Sequence, residues 1–418
     1  MKTFNPFLKV LRFTHLHALA TCGSLSFATI AVDANALSAA TPQEPVVARV
    51  EMRLTADDQV TDVIEKGDLL TVIEEREEDY VIVTHDGSRG AVDKVNAVRL
   101  AESTDIYTEL IEQHPDEGRF FTLRASAWWA LGNTENALRD FDQAIENGYQ
   151  EAHAYSSRGL FNASIGNFDE AIADYAKALE LAPEEVAPLV NRAAVHMARG
   201  HIEKAIDDYT LALQKKPHSA SLLRQRAIAW KAINELDRAI EDFNAILRRN
   251  ENDLDAIMGR GYVYFQQGQH QAAVADFSRS IQLDPESAVA YNNRGYNHFQ
   301  LGNVAEALAD YEKAIELAPR YGLALQNLAW LRATSDDERW RDPAKAIESA
   351  KAACALSDYN HLGDLSALAA AFAAAGKFEE ARGWQEKVVE HAPSNSKAFA
   401  QQILQRYQDE KPFTAPPE

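Results

Sequence analysis

The sequence predicts a mainly α-helical protein: an α-solenoid of about eight helical hairpins, preceded by a small all-β barrel. Three observations carry this. Landmark residues return every 34 residues from Gly118 onward. Residues 46–100 instead alternate polar and apolar at period two. The length, 418 residues, exceeds one ordinary core and suits a repeat array, which grows without a central one.

Residues 1–36 read as a cleaved export signal. Residues 1–32 hold no Asp or Glu, and Lys2, Lys9 and Arg12 form a basic start. An apolar stretch from Leu16 to Val32 follows, before an A-x-A pattern at Ala34-Asn35-Ala36. His17, Thr21, Ser24, Ser26 and Thr29 interrupt it, which suits a permanent span poorly, since that needs about 20 mostly apolar residues. No integral membrane span is expected, and the mature chain should reach the periplasm or cell envelope. The alternatives are a lipoprotein box at Leu19-Ala20-Thr21-Cys22, which would lipidate Cys22, an uncleaved anchor and an organellar transit peptide.

Residues 46–100 predict five short β segments. Val46–Met52 and Tyr80–Thr84 alternate, Leu69–Ile73 is apolar, and His85-Asp86-Gly87-Ser88-Arg89-Gly90 is a turn signal. So many short strands in about 55 residues suggest a barrel, whose closure removes sheet edges. The order resembles a bacterial SH3-like domain, through Lys66-Gly67-Asp68-Leu69-Leu70-Thr71-Val72 and Gly87-Ser88-Arg89-Gly90-Ala91-Val92. Some members of that family bind cell-wall peptides or proline-rich segments through aromatic grooves. Here Ala91 stands where tryptophan is common, and Tyr80 is the only aromatic residue from 46 to 100. A passive docking or spacer module is the expectation.

Residues 103–117 form a linker helix, with Ser103–His114 an opening half-repeat. Beyond it, Gly132, Gly166, Gly200, Gly268 and Gly302 are spaced by 34 residues or twice 34. The skipped place holds Asn234, the next-best residue for a left-handed backbone, so this position turns one helix into the next. Five residues later comes Ala137, Ala171, Ala205, Ala239, Ala273 or Ala307, and nine later Phe141, Tyr175, Tyr209, Phe243, Phe277 or Tyr311. Pro183, Pro217, Pro285 and Pro319 end second helices. Period and landmarks together resemble the tetratricopeptide repeat (TPR), in a secreted bacterial protein that also carries an SH3-like domain. The resemblance covers 118–395: repeats 118–151, 152–185, 186–219, 220–253, 254–287, 288–321, 322–361 and 362–395. The seventh holds about five extra residues around Thr334–Asp342, and a capping helix is expected over 396–410.

Arg124, Arg158, Arg192, Arg226, Arg260 and Arg294 stand eight residues before the turns; Asp140, Asp174, Asp208, Asp242, Asp276 and Asp310 stand eight after. In a hairpin the two rows are level, which predicts an ion-pair ladder rather than an anion site. In the last two repeats the arginine places hold Leu328 and Leu368.

The net charge, −21, disfavours nucleic acid, and apolar and charged contents of 46% and 25% are those of an ordinary soluble chain. No Walker loop, His-Glu-x-x-His or Gly-x-Ser-x-Gly occurs, and no metal or cofactor is expected. Cys354, the cysteine left after signal cleavage, reads as a small core residue. The assigned segments leave no room for a catalytic domain, so the chain should not be an enzyme.

The TPR resemblance implies that the first helix of each repeat lines a concave groove, with the fifth, ninth and twelfth places facing it. Early repeats offer Ser156, Leu160 and Ala163; repeats five to seven offer Tyr262, Phe265, Tyr296, Phe299 and Trp330, with the amides Gln266, Asn292, Asn293, Gln300, Gln326 and Asn327 nearby. Rings give apolar area and amides pair with an extended backbone, so the five rings with Asn292 and Asn293 are the candidate site for a protein or peptide partner. The other reading packs some of the rings between helices. No repeat combines Lys at the fifth place with Asn at the ninth, the family's carboxylate clamp. The sequence thus points to a protein-interaction scaffold of the cell envelope. Its alternative is a cell-wall adaptor whose SH3-like domain holds peptidoglycan while the repeats recruit an enzyme.

Overall fold

The computed structural model describes residues 44–56, 59–84 and 87–414. The export-signal segment and the His85-Asp86 part of the expected turn lie outside the described residues. The chain divides into two compact units at Pro217/His218. Among the described residues there are 18 α-helices and seven β-strands, so the protein is mainly helical and built as a TPR-like solenoid.

In the first unit, β1 (Val46–Ala48), β2 (Met52–Ala56), β3 (Gln59–Ile64), β4 (Leu69–Glu75), β5 (Asp79–Val83), β6 (Arg89–Asp93) and β7 (Ala97–Arg99) form a five-stranded antiparallel sheet, ordered β6-β5-β4-β1-β7, and a β2–β3 hairpin. The expected single strand from Val46 to Met52 is two, broken at Arg49-Val50; alternation cannot register such a bend. Val46, Ala48, Leu70, Val72, Tyr80, Ile82 and Val92 fill the β core. Lys94 and Arg99 each lie 5.2 Å from the Tyr80 ring, so the one aromatic ring of this region is engaged by its own cations.

The helix Thr104–Gln113 is docked on this region rather than strung beside it. The Tyr107 hydroxyl donates to Gly67 O at 3.0 Å, and Lys66 pairs with Glu109. Gly67 has φ +90°, and a Cβ there would lie 2.5 Å from Leu110. Glycine is required twice, for the left-handed turn and for the close approach.

Helix pairs follow. In repeats one to three, helices A are Gly118–Ala130, Ala152–Ile165 and Ala187–Ala198; helices B are Thr134–Glu146, Phe168–Leu181 and Ile202–Lys215. In the second unit, helices A are Ala220–Ala232, Leu254–Gln266, Ala288–Gln300, Gly322–Thr334 and Leu362–Ala374. Helices B are Leu236–Leu247, His270–Leu283, Val304–Leu317, Pro343–Leu356 and Phe378–His391, and Ser394–Gln408 closes the series. At the A–B turns with glycine or Asn234, one bond recurs. Asn133 N–H donates to Trp128 O, and the same link joins 167 to 162, 201 to 196, 235 to 230, 269 to 264, 303 to 298 and 377 to 372. This is the Schellman closure, which needs a left-handed residue at its centre; Asn234 supplies it at φ 62°. Cys354 is fully buried, and burial pushes its thiol up to about 12.

Candidate functional site

The ladder fixes the hairpins on which the site is built. Each of Arg124, Arg158, Arg192, Arg226, Arg260 and Arg294 forks onto the aspartate 16 residues ahead with Nε and Nη2, at 2.6–3.2 Å. The aspartates are at most 6% exposed, so each carboxylate depends on its fork. Nη1 of four of these arginines reaches back 16 residues, to Thr108, Asp142, Asn244 or Ser278. The guanidinium therefore closes its own hairpin and ties it to the preceding helix. The sequence signal for that second tie is weak, because the four acceptors share only an oxygen. The bond to Asp276 holds the Arg260 guanidinium above its ordinary value. At Asp174, burial outweighs Arg158 and Asn162 and holds the carboxyl above its ordinary value.

Three of the seven candidate residues, Tyr262, Asn292 and Asn293, join a hydrogen-bond chain across helices A of repeats five to seven. Asn327 Nδ2 donates to Asn292 Oδ1 at 3.0 Å, Asn292 Nδ2 to Asn293 Oδ1 at 3.3 Å, and Asn293 Nδ2 to the Tyr262 hydroxyl at 2.8 Å. Every donor points toward Tyr262, so its own hydroxyl hydrogen is the last donor of the chain. The Tyr262 ring stands edge-on to Phe277 at 5.7 Å, with Lys231 Nζ 5.8 Å from its centroid. Phe265 and Tyr296 meet edge-on at 5.3 Å, and Trp330 faces Phe413 at 5.7 Å.

Exposure divides the seven. Tyr262, Phe265, Asn293, Tyr296 and Trp330 are half-buried, each with part of its surface toward solvent. Phe299 and Asn292 are 8% and 3% exposed and lie inside. Phe299 packs with Ala307, Tyr311, Leu328 and Leu331, and Asn292 holds the middle of the amide chain. Phe299 and Asn292 thus follow the packing reading, while the other five keep solvent-accessible surface. In repeat two Leu160 and Ala163 are each 2% exposed, while Ser156 is half-buried.

Sequence reasoning placed Asn327 among the nearby amides but outside the candidate site, and missed Phe413 as the ring against Trp330. It also missed that the Thr334–Asp342 insertion is ordered. Asp337 caps the short helix Glu338–Trp340, Asp342 caps the next helix, and Arg341 bonds Ser335 O and Asp336 O. A cavity of about 480 Å3 lies between this insertion and the turn after Phe299. No helix among the described residues is long and apolar enough to cross a membrane.

Family models described as "Tetratricopeptide repeat" match residues 91–152, 122–186, 163–220 and 288–321, and one described as "TPR repeat" matches 261–302. No curated protein matches the sequence. Among solved structures, the chain is 25% identical to YrrB, titled a TPR protein with an unusual peptide-binding site; the match covers 44% of this chain and 95% of that one, with a TM-score of 0.39. It is 26% identical to the MamA protein, over 40% of this chain and 92% of that one, with a TM-score of 0.38. A tetratricopeptide repeat protein from Parabacteroides merdae is 19% identical over 72% of this chain and 98% of that one, with a TM-score of 0.43. The matching models are those of a scaffold repeat, and no catalytic family is among them. Residues 91–220 and 261–321 thus match tetratricopeptide repeat models, and the same period and Schellman turns make the helical part a TPR-like solenoid.

Proposed function

We propose that the chain is a non-enzymatic protein-interaction scaffold that holds an extended segment of a partner against helices A of repeats five to seven. The observation that carries this is the donor chain ending at the Tyr262 hydroxyl, flanked by the half-exposed rings of Phe265, Tyr296 and Trp330. A peptide backbone offers carbonyl oxygens to such a donor, and its side chains offer apolar area to the rings. The β region serves as an SH3-like docking module, a role supported by the helix Thr104–Gln113 seated on its Lys66-Gly67-Asp68 turn. On this reading the basic, Asp- and Glu-free segment 1–32 acts as an export signal, and the scaffold works in the cell envelope.

The test starts from a partner recovered by crosslinking in the native host. Tyr262→Phe keeps the ring and removes the hydroxyl, and should weaken binding about fivefold, the worth of one hydrogen bond of about 1 kcal/mol. Tyr296→Ala should cost about 2 kcal/mol, or about thirtyfold. Both variants are compared with wild type by thermal melting. If both stay folded and bind as wild type does, the groove reading is wrong.

A further inference from the structure

The end of the chain returns to the same stripe. After the helix Ser394–Gln408, Glu410 turns at φ 56°, and Lys411 N–H donates to Arg406 O at 2.9 Å. Arg406 Nη2 donates to Pro412 O at 3.0 Å. This return brings the Phe413 ring 5.7 Å from Trp330 and 6.1 Å from Phe399. Phe265 and Tyr296, on the same stripe, meet each other; Trp330 is met by the tail.

Beside these rings opens a cavity of about 170 Å3, lined by Trp330, Gly363, Gln385, Val388 and Phe399 among others. Gln385 is 1% exposed; its Nε2 donates to Ala400 O, while its Oε1 is buried with no hydrogen-bond partner. Gln326 Oε1, one turn before Trp330, is likewise buried and unpartnered, and a Cβ on Gly363 would lie 2.8 Å from it. Of these acceptors Gln385 lines the cavity, where a backbone N–H group of an extended segment would satisfy it. The tail has the matching character: Lys411-Pro412-Phe413-Thr414 sets one ring behind a proline, and Pro416-Pro417 follow. Proline restricts the preceding residue to extended backbone, so little entropy is lost on docking.

We propose that the Trp330–Phe399 face is a binding site for a proline-flanked aromatic segment, and that the chain's own tail occupies it in cis through Phe413. The site deepens the groove reading, on which it rests, by naming the chemistry of the segment at the repeat-seven end. A tethered tail acts at an effective concentration on the order of millimolar, so an incoming segment of the same kind must displace it.

The probe is a fluorescein-labelled synthetic peptide of residues Asp409–Glu418, followed by anisotropy against the full chain. The Phe413→Ala chain should bind it at least tenfold more tightly than wild type, because its own ring no longer competes. Adding Trp330→Leu to Phe413→Ala should remove that binding, and a peptide with alanine for phenylalanine should bind neither chain. Equal affinity of wild type and Phe413→Ala overturns the proposal, as does no binding by a Phe413→Ala chain that melts as wild type does. Should Phe413→Ala melt earlier, deletion of residues 411–418 serves as the second variant, read by the same two criteria. The Tyr262→Phe test reads repeats five and six and the peptide assay reads the tail, so either can fail alone.

Discussion

In repeat four, Arg226 forks onto Asp242, a carboxylate only 4% exposed; at the matching place in repeat seven, Leu328 packs with Ala307, Tyr311 and Leu331. Repeat eight does the same with Leu368, in a cluster with Ala346, Ala381 and Val388. Repeats one to six thus close each hairpin with a charged fork, and the last two with small and branched apolar residues. The fork fixes register, because only one alignment satisfies both oxygens. The apolar closure is less particular about register. There the repeat period breaks: the insertion Thr334–Asp342 and the returning tail are both placed beside repeat seven. Periodic residues mark how the array is held, and the proposed tail site lies where the period departs.

The comparison can be broken most directly at the fork. Arg226→Leu should cost about 3–5 kcal/mol in a urea melt, since it strands a buried aspartate. Arg226→Leu with Asp242→Leu should cost far less, because it installs the chemistry of the last two repeats. A single variant as stable as wild type would mean that solvent carries the carboxylate unaided. The reverse exchange sharpens the contrast. Leu328→Arg places a guanidinium at a site 4% exposed and should cost about 2–3 kcal/mol; adding Ser349→Asp on the facing helix should recover part of that.

Acid should separate the regions next. Burial holds the His153 and His196 imidazoles below their ordinary value of 6.5, so the folded chain prefers them neutral. That stability is complete above the unfolded value and is lost as pH falls from 6.5 through the folded values. Protection factors, taken against the intrinsic exchange rate at each pH, should therefore fall in repeats two and three between pH 7 and pH 5, and His196→Gln should flatten the change there. An equal fall in repeats seven and eight would contradict this. The smallest effect belongs to the turns: Asn234→Gly should stabilise by about 0.5–1 kcal/mol, relieving a left-handed side chain, and raise the melting point by a few degrees at most.

The turn glycines, Asn234 and the Arg–Asp rows were legible in the sequence because each follows from a fixed geometric need repeated at one spacing. What the sequence left unread has no period. Nothing in the alternation of Val46–Met52 announces the bend at Arg49-Val50. The stripe position of Phe299 does not reveal that Leu328 and Leu331 from the next repeat close over it. Asn327 lies one place off the stripe, and Phe413 is one ring in a proline-rich tail; only the folded chain brings them to Asn292 and Trp330. The candidate residues were legible as a cluster, but their division into buried supports and half-exposed rings was not.

The central claim is that the partner lies on helices A of repeats five to seven. Hydrogen exchange of the full chain, alone and saturated with the crosslinked partner, tests it most directly. The account predicts slowed exchange within Leu254–Gln266, Ala288–Gln300 and Gly322–Thr334, with repeats one to three unchanged. Protection confined to residues 46–100 or to repeats one to three would contradict it.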